Sequence, residues 1–125
     1  MANHNQTGGL RRIWNAAGYS FAGIRASWRN EAAFRQEAIL AGLLVPTAFW
    51  YGDSAVERIL LIGSCLLVLI VELLNSAVEA AIDRIGDDRH TLSGRAKDMG
   101  SAAVFISLWG VLITWGLIGY ERFVS

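Results

Sequence analysis

The feature that most constrains this chain is an uncharged segment near its C-terminus. Residues 99–120 contain no Asp, Glu, Lys or Arg. A helix rises ~1.5 Å per residue, so a helix over this segment can cross a hydrocarbon core roughly 30 Å thick. Hydrophobic residues form 54% of the chain and charged residues only 18%, a balance that is unusual for a soluble domain. The sequence therefore predicts an all-α membrane protein.

Two more membrane spans are predicted upstream. Residues 59–71 and 38–52 are also uncharged, and Pro46 can kink the earlier segment. We expect transmembrane helices at about 32–52, at about 55–85 with a cytoplasmic extension, and at about 96–121. The 125 residues suit one membrane domain, 1–125, rather than two domains.

Residues from about 8 to 30 predict a different kind of helix. Apolar residues recur at helical spacing on one face, and polar and basic residues fall on the opposite face. The apolar set is Leu10, Ile13, Trp14, Ala17, Phe21, Ile24 and Trp28, and the polar set is Arg11, Asn15, Arg25 and Arg29. This pattern favours an amphipathic helix lying on the membrane surface. A surface helix docked on protein is the alternative.

The positions of the basic residues predict the orientation in the membrane. Basic residues concentrate before the first span and between the second and third, whereas the other two connections hold only Arg58 and Arg122. Cytoplasmic loops of membrane proteins are enriched in Lys and Arg. We therefore expect a multi-pass membrane protein with the N-terminus and the 86–95 loop in the cytoplasm and the C-terminus outside.

The stretch ELLNSAVEAAID, residues 72–83, places polar groups at the end of an apolar run. At about 100° per residue, Glu72, Asn75, Ser76, Glu79 and Asp83 share one helix face. A charge at mid-membrane costs at least roughly 2.5–3.5 kcal/mol, so this face should meet protein, water or a cation. Snorkelling to the interface suits the last two residues but not the first, which lies deeper. Three helices offer little enclosure, so we expect subunits to close around this face.

Further polar residues are predicted near this face. Glu31 and Glu37 lie at the cytoplasmic edge of the first span, and Lys97, Asp98 and Ser101 begin the third. Glu31, Glu79 and Asp98 should then lie at similar depth. Paired carboxylates suit Mg²⁺ that bridges phosphate oxygens, and a lysine suits phosphate charge. A helix-start charge pair is the alternative for Lys97 and Asp98.

The sequence lacks the motifs that are typical of several function classes. No Walker A, protein-kinase or Rossmann motif occurs, and a net charge of zero gives no general attraction for nucleic acid. The residues alone thus predict a three-span oligomer with a carboxylate-rich site at the cytoplasmic interface. Ion transport, as in a small cation- or proton-translocating subunit, and metal-assisted chemistry both stay open.

Four motifs in order resemble the small bacterial integral-membrane diacylglycerol kinase family. They are AAGYSFAGIRASW, NEAAFRQE, ELLNSAVEAAIDRIG and LSGRAKDMGSAAV, and with the intervening spans they cover nearly the whole chain. The resemblance implies transfer of the ATP γ-phosphoryl group to diacylglycerol, which gives phosphatidic acid. It also implies Mg²⁺, a homotrimer and active sites shared between subunits. A related enzyme that acts on undecaprenol has the same fold, so undecaprenol is the alternative acceptor.

The resemblance also implies roles for individual residues. Glu72 would be the catalytic base, with Asn75 and Ser101 shaping the reaction centre. Glu31 and Glu79 would bind Mg²⁺ on ATP. The other implied nucleotide contacts are Arg12, Tyr19, Asp88, Arg89, His90, Lys97 and Asp98. The implied lipid side comprises Arg12, Ser20, Phe21, Trp28, Arg35, Glu37, Trp50, Glu72 and Ser101. Judged without the resemblance, His90 is better explained as a loop residue.

Overall fold

The computed structural model describes residues 8–86 and 91–124, and in these ranges the chain is helical without strands. Four helices follow in order: α1 (Gly9–Asn30), α2 (Ala32–Tyr51), α3 (Ala55–Ile85) and α4 (Thr91–Phe123). The all-helical prediction is therefore confirmed. Helix α3 packs most extensively on α4 and next on α2, whereas α1 makes fewer contacts with α2 and α3.

A single residue, Glu31, separates α1 from α2. Its backbone is extended, with φ −122° and ψ 108°, and its N–H donates to Ser27 O. Arg35 donates from Nη1 to Trp28 O at 2.7 Å and to Arg29 O at 3.3 Å. The last carbonyls of a helix lack helical partners, so these bonds satisfy the end of α1. The chain therefore changes direction at Glu31 instead of continuing one helix.

The buried residues of α2 and of α3 each lie on one face of their helix. The buried residues of α2, Phe34, Ala41 and Ala48, recur at heptad spacing. The buried residues of α3 are Leu61, Cys65, Val68 and Glu72, which also lie on one face. The two alanines leave room for close approach of the helices. This packing carries Glu72 into the interior as the last member of its line.

Three helices are tied together at the end far from Glu31. Tyr51 of α2 donates from Oη to Trp115 O of α4 at 3.0 Å, and Trp115 Nε1 donates to Leu61 O of α3 at 3.3 Å. Arg122 pairs with Asp53, and its guanidinium lies 5.3 Å from the centre of the Trp50 ring. These contacts satisfy polar groups that would otherwise face apolar surroundings.

Two of the described helices are long and apolar enough to cross a membrane, α3 and α4. Only 22% and 17% of their most apolar windows are buried, which differs from the core helices of soluble proteins. Large apolar side chains such as Ile70, Phe105 and Leu112 are exposed instead. Helix α2 does not pass the same test of hydropathy, because its first turns contain Arg35, Gln36 and Glu37. The span predicted at about 32–52 therefore stays a prediction.

Candidate functional site

Glu72 is the most deeply buried carboxylate of the candidate site. It is 6% exposed, and its Oε2 has no hydrogen-bond partner among the described residues. The helical repeat of α3 puts it on the same face as Val68 and Cys65, so the core packing itself buries it. A buried carboxylate without a donor is costly, which is typical of a functional group. A single chain buries Glu72, so covering this residue does not require a neighbouring subunit.

Glu37 of α2 lies beside Glu72. The two carboxyl groups are near enough to interact electrostatically, and Glu37 Oε2 is buried without a described donor. The structure therefore joins the residue predicted on the lipid side to the predicted base, across the α2–α3 contact.

Glu31 and Glu79 also lie near enough to Glu72 to interact with it electrostatically. Glu31 lines a cleft of about 660 Å³ between α1 and α3, together with Ser20, Ser27, Asn30, Ser76 and Asp83. The break between α1 and α2 places Glu31 at this cleft. Glu79 follows Glu72 on the same face of α3, two turns closer to the end of the helix.

The described acidic residues fit Mg²⁺ that is bound on a nucleotide better than Mg²⁺ that is bound by protein ligands alone. Among residues 8–86 and 91–124, no group of three or more His, Cys, Asp or Glu side chains is placed to hold a metal. A cage made only of protein ligands is therefore not formed by the described residues. Two separated carboxylates fit Mg²⁺ that arrives on a nucleotide, because that ion takes one or two carboxylates and completes its shell with phosphate oxygens and water.

Lys97 at the start of α4 is held by Asp83 near the end of α3. The ammonium Nζ donates to Asp83 Oδ1 at 3.0 Å, and both side chains are substantially exposed. A lysine paired with a carboxylate is positively charged at neutral pH, so Lys97 places a positive charge at the end of the molecule that carries Glu79.

Asn75 and Ser101, near the α3–α4 contact, differ in their exposure to solvent. Asn75 is half-buried, and its Oδ1 is buried without a described hydrogen-bond donor. Ser101 is exposed and follows Gly100, which contacts Asn75. Asp98 is exposed on the same part of α4.

Other predicted residues are not buried with Glu72. Arg12, Tyr19, Phe21 and Trp28 are exposed along α1. Trp50 lies at the opposite end of α2 from Glu37, under the Arg122 guanidinium. Asp88, Arg89 and His90 lie outside the described residues.

Sequence reasoning missed several members of this site. Ser27, Asn30 and Ser76 line the cleft without a predicted role, and Asp83 was not predicted to hold Lys97. Asp83 lies near the end of α3 and Lys97 near the start of α4, on either side of the connection between these antiparallel helices. Asn75 lies ten residues before the end of α3 and Gly100 nine residues after the start of α4, so the antiparallel pairing is consistent with their contact.

Comparison with known proteins relates this arrangement to enzymes. The sequence model of the family described as prokaryotic diacylglycerol kinase matches residues 18–119. The chain is 56% identical to a protein of Escherichia coli K12 named diacylglycerol kinase, over 95% of this chain and 98% of the relative. Proteins with the same name from Pseudomonas aeruginosa and Haemophilus influenzae are 56% and 53% identical, over 88% and 89% of this chain and 89% and 94% of theirs. The chain belongs to the prokaryotic diacylglycerol kinase family.

Proposed function

We propose that this protein is a membrane lipid kinase that transfers the γ-phosphoryl group of ATP to the primary hydroxyl of diacylglycerol, which gives phosphatidic acid. The observation that supports this most directly is Glu72, a buried carboxylate in an apolar helix. The same helix continues to Asp83, which pairs with Lys97. A lipid hydroxyl lies just below the headgroups and ATP lies in water, so the reaction needs groups at both depths. The relatives' printed names support diacylglycerol as the acceptor.

The reaction follows from these positions. Glu72 takes the proton of the lipid hydroxyl as the hydroxyl oxygen attacks the γ-phosphorus. A new oxygen–phosphorus bond forms, the bond from the γ-phosphorus to the β–γ bridging oxygen breaks, and ADP leaves. Phosphoryl transfer needs mainly positioning and neutralisation of charge. Glu72 and Glu79 are separated by about 10.5 Å of helix rise, so the phosphorus would react between their depths.

Glu31 and Glu79 are the residues proposed to hold Mg²⁺ on the ATP phosphates. The ion, when bound with ATP, would neutralise charge on the phosphate oxygens. Glu31 approaches from the α1–α2 junction and Glu79 from α3, so the two carboxylates belong to different elements. Their placement near Glu72 supports this assignment.

The remaining nucleotide contacts are proposed at the same end. Lys97, kept charged by Asp83, suits the phosphates, and Arg12 and Tyr19 are exposed on α1 where a nucleotide could reach them. Asp98 lies one residue beyond Lys97. The other proposed nucleotide contacts are Asp88, Arg89 and His90.

The lipid is proposed to lie along α2. Glu37 sits beside the base, and Trp50 lies at the far end of the same helix, which suits an acyl chain running between them. The hydroxyl of Ser101 is exposed near Asn75, where the two would shape the reaction centre. The other proposed lipid-side residues are Arg12, Ser20, Phe21, Trp28 and Arg35.

We also propose a homotrimer in the bacterial inner membrane with shared active sites. The exposed apolar faces of α3 and α4 support contact with lipid and with other subunits. The distribution of basic residues supports a cytoplasmic N-terminus and 86–95 loop, with the C-terminus outside. Helix α1 would lie on the cytoplasmic surface, and α2 would cross the membrane together with α3 and α4.

Phosphorylation of purified acceptor lipids tests the proposal. Protein in mixed micelles is given γ-labelled Mg-ATP with either diacylglycerol or undecaprenol, and the labelled lipid is separated and counted. We expect labelled phosphatidic acid and much slower labelling of undecaprenol. Preference for undecaprenol would reject the acceptor, and no labelled lipid with a folded protein would favour the transport alternative.

A further inference from the structure

Helix α4 approaches α3 closely at Gly100. A Cβ atom at this position would overlap with Oδ1 of Asn75 and would lie 3.1 Å from Asn75 Cγ. A side chain larger than hydrogen therefore cannot occupy position 100 while Asn75 keeps its present rotamer. Gly100 leaves the space that the Asn75 carboxamide fills.

Other glycines of α4 do not have this role. A Cβ atom at Gly94, Gly110 or Gly116 would meet nothing within 4 Å. Glycine is a poor helix former, so its presence in a helix calls for a local reason. At Gly100 the reason is contact with Asn75, whereas Gly119 makes a comparable approach to Tyr51 at the far end.

The contact fixes which way the carboxamide of Asn75 faces. The Cα hydrogen of Gly100 that a side chain would replace points at Oδ1, and such Cα–H groups donate weakly to oxygen. Oδ1 is buried and receives no conventional hydrogen bond from the described residues. The acceptor end of the carboxamide is thus turned to the backbone of α4, which leaves the amino group as the end available to other partners.

We propose that Gly100 is a positioning residue for phosphoryl transfer, because its missing side chain sets the orientation of the Asn75 carboxamide. This inference rests on the proposed function for the role of Asn75 at the reaction centre. Asn75 follows Glu72 by about one turn of α3, so its amino group is held at a fixed height relative to the base. A methyl group at position 100 forces Asn75 to rotate or α4 to move away.

Gly100→Ala tests the inference, with Gly110→Ala as the matched control on the same helix. We expect Gly100→Ala to lower kcat at least about tenfold and to change the KM for Mg-ATP less than roughly twofold, the pattern of a lost transition-state interaction. Gly110→Ala should leave both constants near those of the parent. The side-chain amide resonances of ¹⁵N-labelled Asn75 should shift in Gly100→Ala only.

A double-mutant cycle with Asn75→Ala separates positioning from a general effect on folding. Because Asn75→Ala empties the space, adding Gly100→Ala to it should lower neither kcat nor Tm further, and the double variant should fold even if Gly100→Ala alone does not. Parent-like kcat in Gly100→Ala, or an equal loss in both backgrounds, would overturn the inference. A folded parent without lipid kinase activity would instead reject the proposed function, and the Tm cycle would still decide whether Gly100 orients Asn75.

Discussion

The ammonium group of Lys97 donates a hydrogen bond of 3.0 Å to Asp83, and this pair joins the start of α4 to the last turns of α3. Asp83→Asn should lower Tm slightly at neutral pH, because exposed ion pairs contribute little. The ion pair requires a charged lysine, so its contribution to stability should be lost when strongly alkaline pH deprotonates Lys97. Thermal unfolding of parent, Asp83→Asn, Lys97→Met and the double variant measures the coupling. Coupling that stays constant through strongly alkaline pH would contradict the pair.

Glu72→Gln should lower kcat by roughly 10²–10⁴ if Glu72 takes the hydroxyl proton, because glutamine cannot act as a general base. The KM for ATP should change little. Glu57→Gln provides a matched control, since Glu57 lies in the first turn of the same helix and accepts from Asp53 N at the opposite end. Both variants are first checked for folding by thermal unfolding. Near-normal turnover in Glu72→Gln would end its assignment as the base.

Mg²⁺ titration of activity distinguishes the metal ligands from the base. Glu31→Gln and Glu79→Gln should each require more Mg²⁺ for half-maximal rate, because each loses an anionic oxygen ligand. Glu72→Gln should show the parental Mg²⁺ requirement with a lower maximal rate. The same Mg²⁺ dependence in the parent and all three variants would reject this division of roles.

Labelling of single cysteines checks the orientation in the membrane. In a background with Cys65→Ala, Asp88→Cys should react only from the cytoplasmic side and Asp53→Cys only from the outside. Positively charged loops are retained in the cytoplasm, which is the physical basis of this expectation. Reaction of Asp88→Cys from the outside alone would reverse the proposed topology.

Mixed assembly tests whether active sites are shared between subunits. Glu72→Gln and Asp98→Asn, each inactive alone, are unfolded together in detergent and reassembled. If sites are shared, some active sites of the mixed trimers will contain both Glu72 and Asp98, so activity should partly return. Cross-linking confirms that mixed oligomers formed. Background activity in confirmed mixtures would show that one chain contributes both residues to each site.

Hydropathy was sufficient to predict the long helices, because uncharged runs of this length have few stable alternatives. The helical repeat alone predicted that Glu72 and Glu79 share one face of α3. The contact between Glu37 and Glu72 was not predicted. Helix α2 is apolar on almost every side beyond its first turns, so its sequence does not indicate which face meets α3.

The partners of α4 were hidden for a related reason. Apolar residues lie on all sides of this helix, and close approaches to its neighbours occur at Gly100 and Gly119, which have no side chain to create a hydrophobic pattern. The Lys97–Asp83 pair depends on the register of two antiparallel helices. That register is set by packing along their whole length and not by either sequence separately.

The contacts of Tyr51 fix one end of α2, so a small rotation about that end moves the other end of the helix. Its far end is fixed to α4 by a hydrogen bond to Trp115 O, while Glu37 lies near the other end. The distance between Tyr51 and Glu37 along the helix is roughly 21 Å, so a rotation of about 5° at the fixed end displaces Glu37 by nearly 2 Å. Displacements of that size decide whether two carboxyl groups meet. The aromatic contacts at one end of α2 therefore help to determine how precisely Glu37, at the other end, is positioned beside Glu72.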